Sequence, residues 1–431
     1  MYNTKVFLVK ICLKEDFQED LIPKLKLLNK GDILRIYSIL EFPQNSVYIL
    51  LEDNFRKQLF NKVIKTVGSF KALGRELDVS AVMIKNWYNA TNKLLNGEEC
   101  IQCMPLWAVN KILKILPKKN FFSCKIDKHV IRYQAKGGSP VNNPKLPLIE
   151  DERLIRIFFH LAGDGYGGEY GGSIPYYYNT NTFVRNEFIK DLSVFGDVKL
   201  NFQENLKRIY FPKVIAHIIK HIYKTNFLSN KVRIPRSFFY LDSKILLQGI
   251  KALADDEGHV DSYKIKISSM NKLFLKDILK LLELKCPELA KYVSIIGHGD
   301  YKLNFLSKGM RLYSRLINFM HNEKRKDLKF YLKLKNRKYE PVGKTKLKIL
   351  QSLNKKEKTI KCLSYDIKAY PTMIEKHIRG YKLSDYYIFG LKELHLVKSV
   401  KDKSGKHIWR ITEKGKKVIK TKIFPKLSYK N

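Results

Sequence analysis

Acidic residues and cysteines are scarce in this chain of 431 residues. Asp and Glu number 41 against 82 Lys and Arg, which leaves a formal net charge of +41. A surplus of positive charge this large favours a polyanionic partner, and nucleic acid is the one that we expect. The six cysteines are too few for a disulfide scaffold, so we expect an intracellular protein whose cysteines are reduced.

Long apolar runs are also missing from the sequence. No run is long enough to cross a bilayer, so we expect no membrane partner. The apolar stretch at residues 6–10 is too short for a secretion signal. The chain has neither the N-terminal Cys or Ser nor the C-terminal His-Asn of a protein-splicing element (intein). We therefore expect a free-standing protein. We predict a cytoplasmic, nucleoid-associated protein that is not secreted.

Apolar residues, by contrast, are plentiful enough for packed cores. Hydrophobic residues make up 45% of the chain and aromatic residues 12%, so wholesale disorder is excluded. A chain this long exceeds one ordinary domain. We predict an N-terminal α/β segment of unknown role at 1–60, a helix-turn-helix region at 61–132, a linker rich in Gly, Pro and Asn at 133–149, a duplicated domain at 150–340 and a second DNA-binding domain at 341–431.

Two short helices with a tight turn between them are predicted within residues 70–87. Gly74 allows the helices to approach closely, and Ser80 can cap the second helix. The stretch resembles the helix-turn-helix of phage-repressor-like proteins, whose second helix enters the major groove. A plain helical hairpin is the alternative. The exposed face that would contact DNA carries Ser80, Ala81, Lys85, Asn86 and Asn89.

Residues 341–431 are predicted to form helices followed by a basic β-hairpin. A turn rich in polar residues separates strands at 396–400 and 407–411. This order resembles a winged helix, in which Lys403 and Lys406 would contact DNA. A small α+β dimerisation unit is the alternative. The predicted helices lie at 344–353, 359–370, 372–379 and 384–394.

Two apolar helices in the central region each end in an acidic residue followed by glycine. The acids are Asp164, before Gly165, and Glu257, before Gly258. Glycine in these positions can stop a helix, so each carboxylate is held at a helix C-terminus. That end of the helix dipole is unfavourable for a carboxylate, and a bound cation would relieve the repulsion.

The stretches at 159–165 (Phe-His-Leu-Ala-Gly-Asp-Gly) and 252–258 (Ala-Leu-Ala-Asp-Asp-Glu-Gly) resemble the motifs of LAGLIDADG (DOD-type) homing endonucleases in their single-chain form. The second motif has Glu in the acidic position. Strand-rich segments and helices follow both motifs. The resemblance implies an α+β fold with a pseudo-symmetric, duplicated αββαββα core, whose repeats we place at 150–241 and 242–340.

The family resemblance implies a site-specific endonuclease that cuts double-stranded DNA. Asp164 and Glu257 would hold Mg²⁺, or Mn²⁺, beside the scissile phosphates, and one water would attack each strand. Gly163 and Asp256 are the further metal contacts that we expect. Lys264 and Lys302 are candidate catalytic residues. The candidate DNA contacts of the core are Lys264, Lys266 and Lys302.

Three residues depart from the family pattern. Phe159 replaces a small residue that allows the motif helices to approach, and we expect its ring to splay them. His160 and Asp256 are also unusual at their positions. The main alternative function is a transcriptional regulator that binds DNA through the same fold without cutting it. An RNA maturase is a third reading.

Two further predictions concern zinc and oligomeric state. Cys100, Cys103, Cys124 and His129 could bind zinc, but only one CxxC pair is present, so incidental thiols are the default. We expect a monomer because both repeats lie in one chain. The winged helix leaves dimerisation open.

Overall fold

The computed structural model describes residues 35–93, 99–117, 121–169, 173–334, 342–383 and 386–421. The prediction for residues 1–34 therefore lies outside the described chain. The described residues mix helix and sheet, as an α+β fold requires. They form two compact units, of which the first comprises residues up to 259 with 266–305 and 315–322, and the second comprises 260–265, 306–314 and 323 onward. Within these ranges, no helix combines the length and apolarity needed to cross a membrane.

The N-terminal part of the first unit consists of short strands and amphipathic helices. Its elements are β1 (Ile36–Tyr37), β2 (Tyr48–Leu51), α1 (Asp53–Val67), α2 (Phe70–Leu77), α3 (Ala81–Asn89), β3 (Thr91–Lys93), β4 (Glu99–Ile101), β5 (Met104–Pro105), α4 (Leu106–Ile115), α5 (Phe121–His129), β6 (Val130–Gln134), β7 (Val141–Asn142) and β8 (Leu148–Ile149). An antiparallel sheet carries β7, β6, β2 and β5 in that order, and β8 pairs with β1.

Helices α2 and α3 lie where the sequence predicts two helices joined by a turn. The Ser80 hydroxyl accepts a hydrogen bond from the amide of Met83 at 3.1 Å and caps α3. A Cβ atom on Gly74 would lie 2.7 Å from the carbonyl oxygen of Val79, so only glycine allows this close approach. Buried Ile84 anchors α3 in the core.

The central region contains two runs of elements in the same order. They are α6 (Glu152–Ala162), β9 (Gly165–Tyr166), β10 (Tyr176–Tyr178), α7 (Thr182–Leu192), β11 (Asp197–Val198), β12 (Asn201–Gln203), β13 (Arg208–Tyr210) and α8 (Lys213–Tyr223), then α9 (Ser243–Glu257), β14 (Gly258–Val260), β15 (Ile265–Ser269), α10 (Lys272–Lys285), α11 (Pro287–Ala290), β16 (Val293–Ile296), β17 (Tyr301–Phe305) and α12 (Ser307–Leu316). We call them the first half and the second half. The helix α13 (Asn322–Leu334) follows.

The sheets of the two halves have the same strand order. The first sheet runs β9-β10-β13-β12 and the second runs β14-β15-β17-β16. In both, the first, second, fourth and third strands along the chain therefore lie side by side. The first half contains β11 as an addition, and the second half contains α11. The order of elements thus repeats although the two amino-acid sequences differ.

The segment 133–149, predicted as a linker, contributes strands to the fold. β7 pairs with β6 on one side and with β11 of the first half on the other. Val141 is buried completely. Strands of two residues are too short to show an alternating pattern, which is why the Gly- and Pro-rich composition concealed them.

The helices α6 and α9 pack against each other through a notch at Gly249. A Cβ atom on Gly249 would lie 2.3 Å from Cδ2 of Phe159 and 2.8 Å from Cγ2 of Ile155. The buried ring of Phe159 therefore fills the space that the missing side chain leaves. The expectation that Phe159 splays the helices is wrong, because the partner helix supplies the small residue.

The second unit ends in a helical and β-hairpin region. Its elements are α14 (Val342–Lys355), α15 (Ile360–Ile367), α16 (Pro371–Arg379), β18 (Gly380–Leu383), β19 (Tyr386–Phe389), β20 (Val397–Lys401), β21 (His407–Ile411) and α17 (Glu413–Thr421). β20 and β21 form the predicted hairpin. The helix predicted at 384–394 is wrong: β19 pairs with β18, and its Tyr-Tyr-Ile-Phe sequence favours a strand.

The notch predicts a specific effect of Gly249→Ala. The added methyl would collide with Phe159, and overpacking of this kind costs about 1–3 kcal/mol. We expect a lower midpoint of urea-induced unfolding, partly restored by Phe159→Leu in the same chain. Gly343→Ala is the matched control, because nothing lies within 4 Å of a Cβ atom there. Equal midpoints for Gly249→Ala and wild type would contradict the packing.

Candidate active site

Each motif helix begins at an aspartate that caps it. The Asp151 carboxylate accepts hydrogen bonds from the amides of Arg153 and Leu154 at the start of α6. Asp242 caps α9 in the same way, by accepting a hydrogen bond from the amide of Lys244 at 2.7 Å. These caps set where the two helices begin.

The far ends of the two helices meet beside the predicted acids. Asp164 follows the end of α6, and Glu257 is the last residue of α9. A Cβ atom on Gly163 would lie 3.2 Å from Cβ of Asp256. The residues next to the two acids are therefore in contact, which brings Asp164 and Glu257 to one end of the helix pair. Both acids are half-buried.

The end of α9 carries three consecutive acids, and the first of them holds a neighbouring loop. The Asp255 carboxylate accepts hydrogen bonds from the amides of Met320 at 3.0 Å and His321 at 2.9 Å. Burial raises the pKa of Asp255 to about 6, against the opposing effect of those two amides. Asp255 therefore ties the segment that precedes α13 to the end of α9.

The second acid, Asp256, is buried in a network that joins the two halves. Its Oδ1 accepts hydrogen bonds from the Tyr177 hydroxyl at 2.5 Å and from Nδ2 of Asn179 at 3.0 Å. Its Oδ2 lies 2.9 Å from Nδ1 of His160, and both side chains are fully buried. Asp256, predicted as a metal contact, instead points into the fold, and we leave it out of the metal site proposed below.

The unusual motif residue His160 is the partner of Asp256 across the helix interface. Burial by itself would lower the pKa of His160, but the charge of Asp256 and the hydrogen bond to it raise this pKa overall. Nε2 of His160 is buried without a hydrogen-bond partner among the described residues. The sequence pointed to His160 and Asp256 one by one, since each is unusual at its position in the motif. It did not show that they meet.

The candidate lysines of the core lie on or near the second sheet. Lys302 on β17 pairs with Asp300 at 3.0 Å. Lys266 lies on β15, whereas Lys264 precedes this strand and belongs to the second unit. The catalytic and DNA-binding roles of these lysines stay predictions.

The predicted DNA-contacting face of α3 is largely exposed. Lys85 and Asn89 are exposed, and Ala81 and Asn86 are half-buried. Ser80 is exposed too, although its hydroxyl is already used as the helix cap. Sequence reasoning missed the apolar part of this face: Val82 is 67% exposed and Met83 is 37% exposed.

The hairpin that carries Lys403 and Lys406 is shaped by Asp402. The Asp402 carboxylate accepts hydrogen bonds from the amides of Ser404 and Lys406, each at 2.9 Å. Both lysines are exposed at the turn. The turn therefore presents two positive charges to solvent.

The zinc alternative finds no support in the described residues. No group of three or more His, Cys, Asp and Glu there is arranged to hold a metal ion. Burial raises the pKa of the Cys103 thiol to about 11. His129 lies 2.7 Å from Glu52.

Comparisons with known proteins add little to this geometry. No family model and no curated protein matches the chain. Among solved structures, the crystal structure of I-DmoI in complex with DNA and Mn is 15% identical, covers 39% of this chain and 97% of its own, and gives a TM-score of 0.29. A structure of mesophilic variants from the homing endonuclease I-DmoI is 16% identical, covers 39% and 96%, and gives 0.28.

The buried network predicts that Asp256→Ala is strongly destabilising. The change leaves His160 buried without its partner, and breaking a buried charge pair typically costs about 3–5 kcal/mol. The neighbouring change Glu257→Gln, at a half-buried side chain, is the control and should cost much less. Urea-induced unfolding of both variants checks this. Equal losses of stability would contradict the structural role of Asp256.

The exposed face of α3 predicts a loss of DNA affinity in Lys85→Ala/Asn86→Ala. Removing a phosphate or base contact weakens binding without changing the acids. We expect affinity for duplex DNA to fall about tenfold or more, which corresponds to about 1.4 kcal/mol. Lys62→Ala on α1 is the matched control for one lost positive charge. An unchanged affinity would remove α3 from the DNA-binding surface.

Proposed function

We propose that this chain is a site-specific, metal-dependent endonuclease that cuts double-stranded DNA at the paired ends of α6 and α9. One observation carries the proposal: Gly163 and Asp256, the chain neighbours of Asp164 and Glu257, are in contact. The repeated order of strands and helices supports the view that the two halves are the pseudo-symmetric repeats of a LAGLIDADG core.

The chemistry of the two acids supports a hard divalent cation. Each carboxylate follows or ends a helix, where the helix dipole is negative, and the two charges repel each other. Carboxylate oxygens are the ligands that Mg²⁺ and Mn²⁺ prefer, and the carbonyl of Gly163 is a further donor. A bound cation would neutralise charge on the scissile phosphate and make water a better nucleophile.

The other two acids of the triplet hold the end of α9 in the fold. Asp255 accepts hydrogen bonds from two backbone amides, and Asp256 interacts with His160, Tyr177 and Asn179. We assign the metal and the attacking water to Asp164 and Glu257, which occupy the acidic positions of the two motifs. Asp255 and Asp256 position the helix end that carries Glu257.

The partner is double-stranded DNA in this proposal. The net charge of +41 provides the long-range attraction. Lys264, Lys266 and Lys302 of the core would contact the duplex, as would Lys403 and Lys406 of the hairpin. The exposed face of α3 would lengthen the recognised site.

A DNA-binding regulator without cleavage is the second candidate. The observation that favours it is the exposed basic hairpin at Lys403 and Lys406, together with the exposed face of α3. Cleavage itself needs neither surface. A regulator, in turn, needs neither Asp164 nor Glu257.

The acids predict the outcome of a cleavage experiment. Source genomic DNA is incubated with Mg²⁺ and each variant, and all new 5′ ends are sequenced. We expect recurrent paired ends with wild type and none with Asp164→Asn or Glu257→Gln, whereas DNA affinity stays equal or rises because a negative charge is lost. Glu283→Gln, at an exposed position on α10, is the control and should cut normally.

Three outcomes would contradict the proposed site or the proposed function. Unchanged cleavage in both acid variants would remove the proposed site. Tight binding of duplex DNA without any new ends would favour the regulator. Preference for structured intron RNA over duplex DNA would favour the maturase.

A further inference from the structure

We propose that the second unit binds the phosphate backbone of duplex DNA in a lysine-lined cavity at α14 and α15. The inference rests on the proposed function, and it adds a DNA contact that is separate from the hairpin lysines. The cavity is open to solvent and has a volume of about 600 Å³. Its polar lining includes Lys348, Lys355, Lys358, Lys368, Ser352 and Asp366.

One face of α14 supplies much of this lining. Lys348, Gln351, Ser352 and Lys355 follow a spacing of three and four residues, which places them on a single side of a helix. The core face of the same helix carries the buried Ile349, Leu350 and Leu353. From the sequence alone, this row of polar residues is expected to face solvent. The sequence does not show which other segments of the chain lie next to it.

Lys358, one of the residues that line the cavity, is held by contacts on two sides. Its Nζ contacts the carboxylate of Asp366 and lies 3.1 Å from Oγ of Ser352. Its backbone exchanges two hydrogen bonds with Trp409 of β21, at 2.8 and 3.1 Å. Only 19% of its side chain is exposed. A cation held this firmly is ordered before any ligand arrives, which lowers the entropic penalty of binding.

Asp366 offsets only part of the positive charge in the cavity. The hydrogen bond from Lys358 lowers the pKa of Asp366, so the carboxylate stays charged. Four lysines line the cavity (Lys348, Lys355, Lys358 and Lys368) against the one carboxylate of Asp366. Lys368 enters from a third segment, at the left-handed residue that ends α15. Cations that converge from separate segments attract anions that can bridge them.

A phosphate backbone matches the shape and the charge of this site. The cavity is open to solvent, so a DNA strand that lies across it can place its phosphates near the lysines. Ser352 and Gln351 add the neutral hydrogen-bonding groups that commonly contact phosphate and sugar. Such contacts position a duplex without reading its sequence.

The test measures how salt weakens binding of the full-length chain to duplex DNA, in the absence of divalent metal. The variant Lys348→Gln/Lys355→Gln keeps helix-forming side chains and removes two charges. The slope of log affinity against log salt is negative, and we expect it to be less steep in this variant by about 1.8. We also expect the variant to bind all DNA sequences more weakly than wild type. The control Lys414→Gln/Lys417→Gln removes two exposed charges from α17 and should leave the slope unchanged.

The outcomes separate this inference from the proposed function. If wild type binds duplex DNA and both double variants have the wild-type slope, the cavity inference is overturned and the endonuclease stands. If wild type does not bind duplex DNA, both fail. If the cavity variant loses affinity only for structured RNA, the cavity binds RNA and the DNA assignment is overturned.

Discussion

The packing of Phe159 into the notch at Gly249 is the contact on which the rest of the site depends. Protein interiors are closely packed, so an aromatic ring at a helix interface needs a small residue opposite it on the partner helix, and Gly249 is that residue for Phe159. Because Gly249 has no side chain, α6 and α9 approach closely. Gly163 then meets Asp256, and the two chain segments that carry Asp164 and Glu257 are brought to one end of the helix pair.

The buried pair of Asp256 and His160 fixes the orientation of the two packed helices. The apolar contact between two helices fixes their separation, but hydrogen bonds from His160, Tyr177 and Asn179 fix how the end of α9 sits on the first half. Asp255 performs a parallel task through the amides before α13. Two of three consecutive acids thus serve the fold, and an arrangement dense in negative charge is stable because each of these carboxylates has donors.

Local signals predicted a good part of this molecule, because they depend on residues near one another in the chain. The turn before α3, the hairpin of β20 and β21, and both acidic helix ends were readable in this way. The match of Phe159 with Gly249 was not, since the two residues are far apart in sequence. The two-residue strands at 141–142 and 148–149 are too short for periodicity, and the pairing of β18 with β19 overrode a helical prediction at 384–394. The lysine-lined cavity was hidden for the same reason: its lysines lie on three separate segments.

In the proposed site, Asp164 and Glu257 hold one metal ion between them. Replacing Mg²⁺ by Fe²⁺, with ascorbate and peroxide, generates hydroxyl radicals that cut the protein backbone beside the bound ion. We expect two cuts in wild type, one near residue 164 and one near residue 257, and the loss of both in either Asp164→Asn or Glu257→Gln. A cut at only one helix end, or cuts that survive both substitutions, would contradict it.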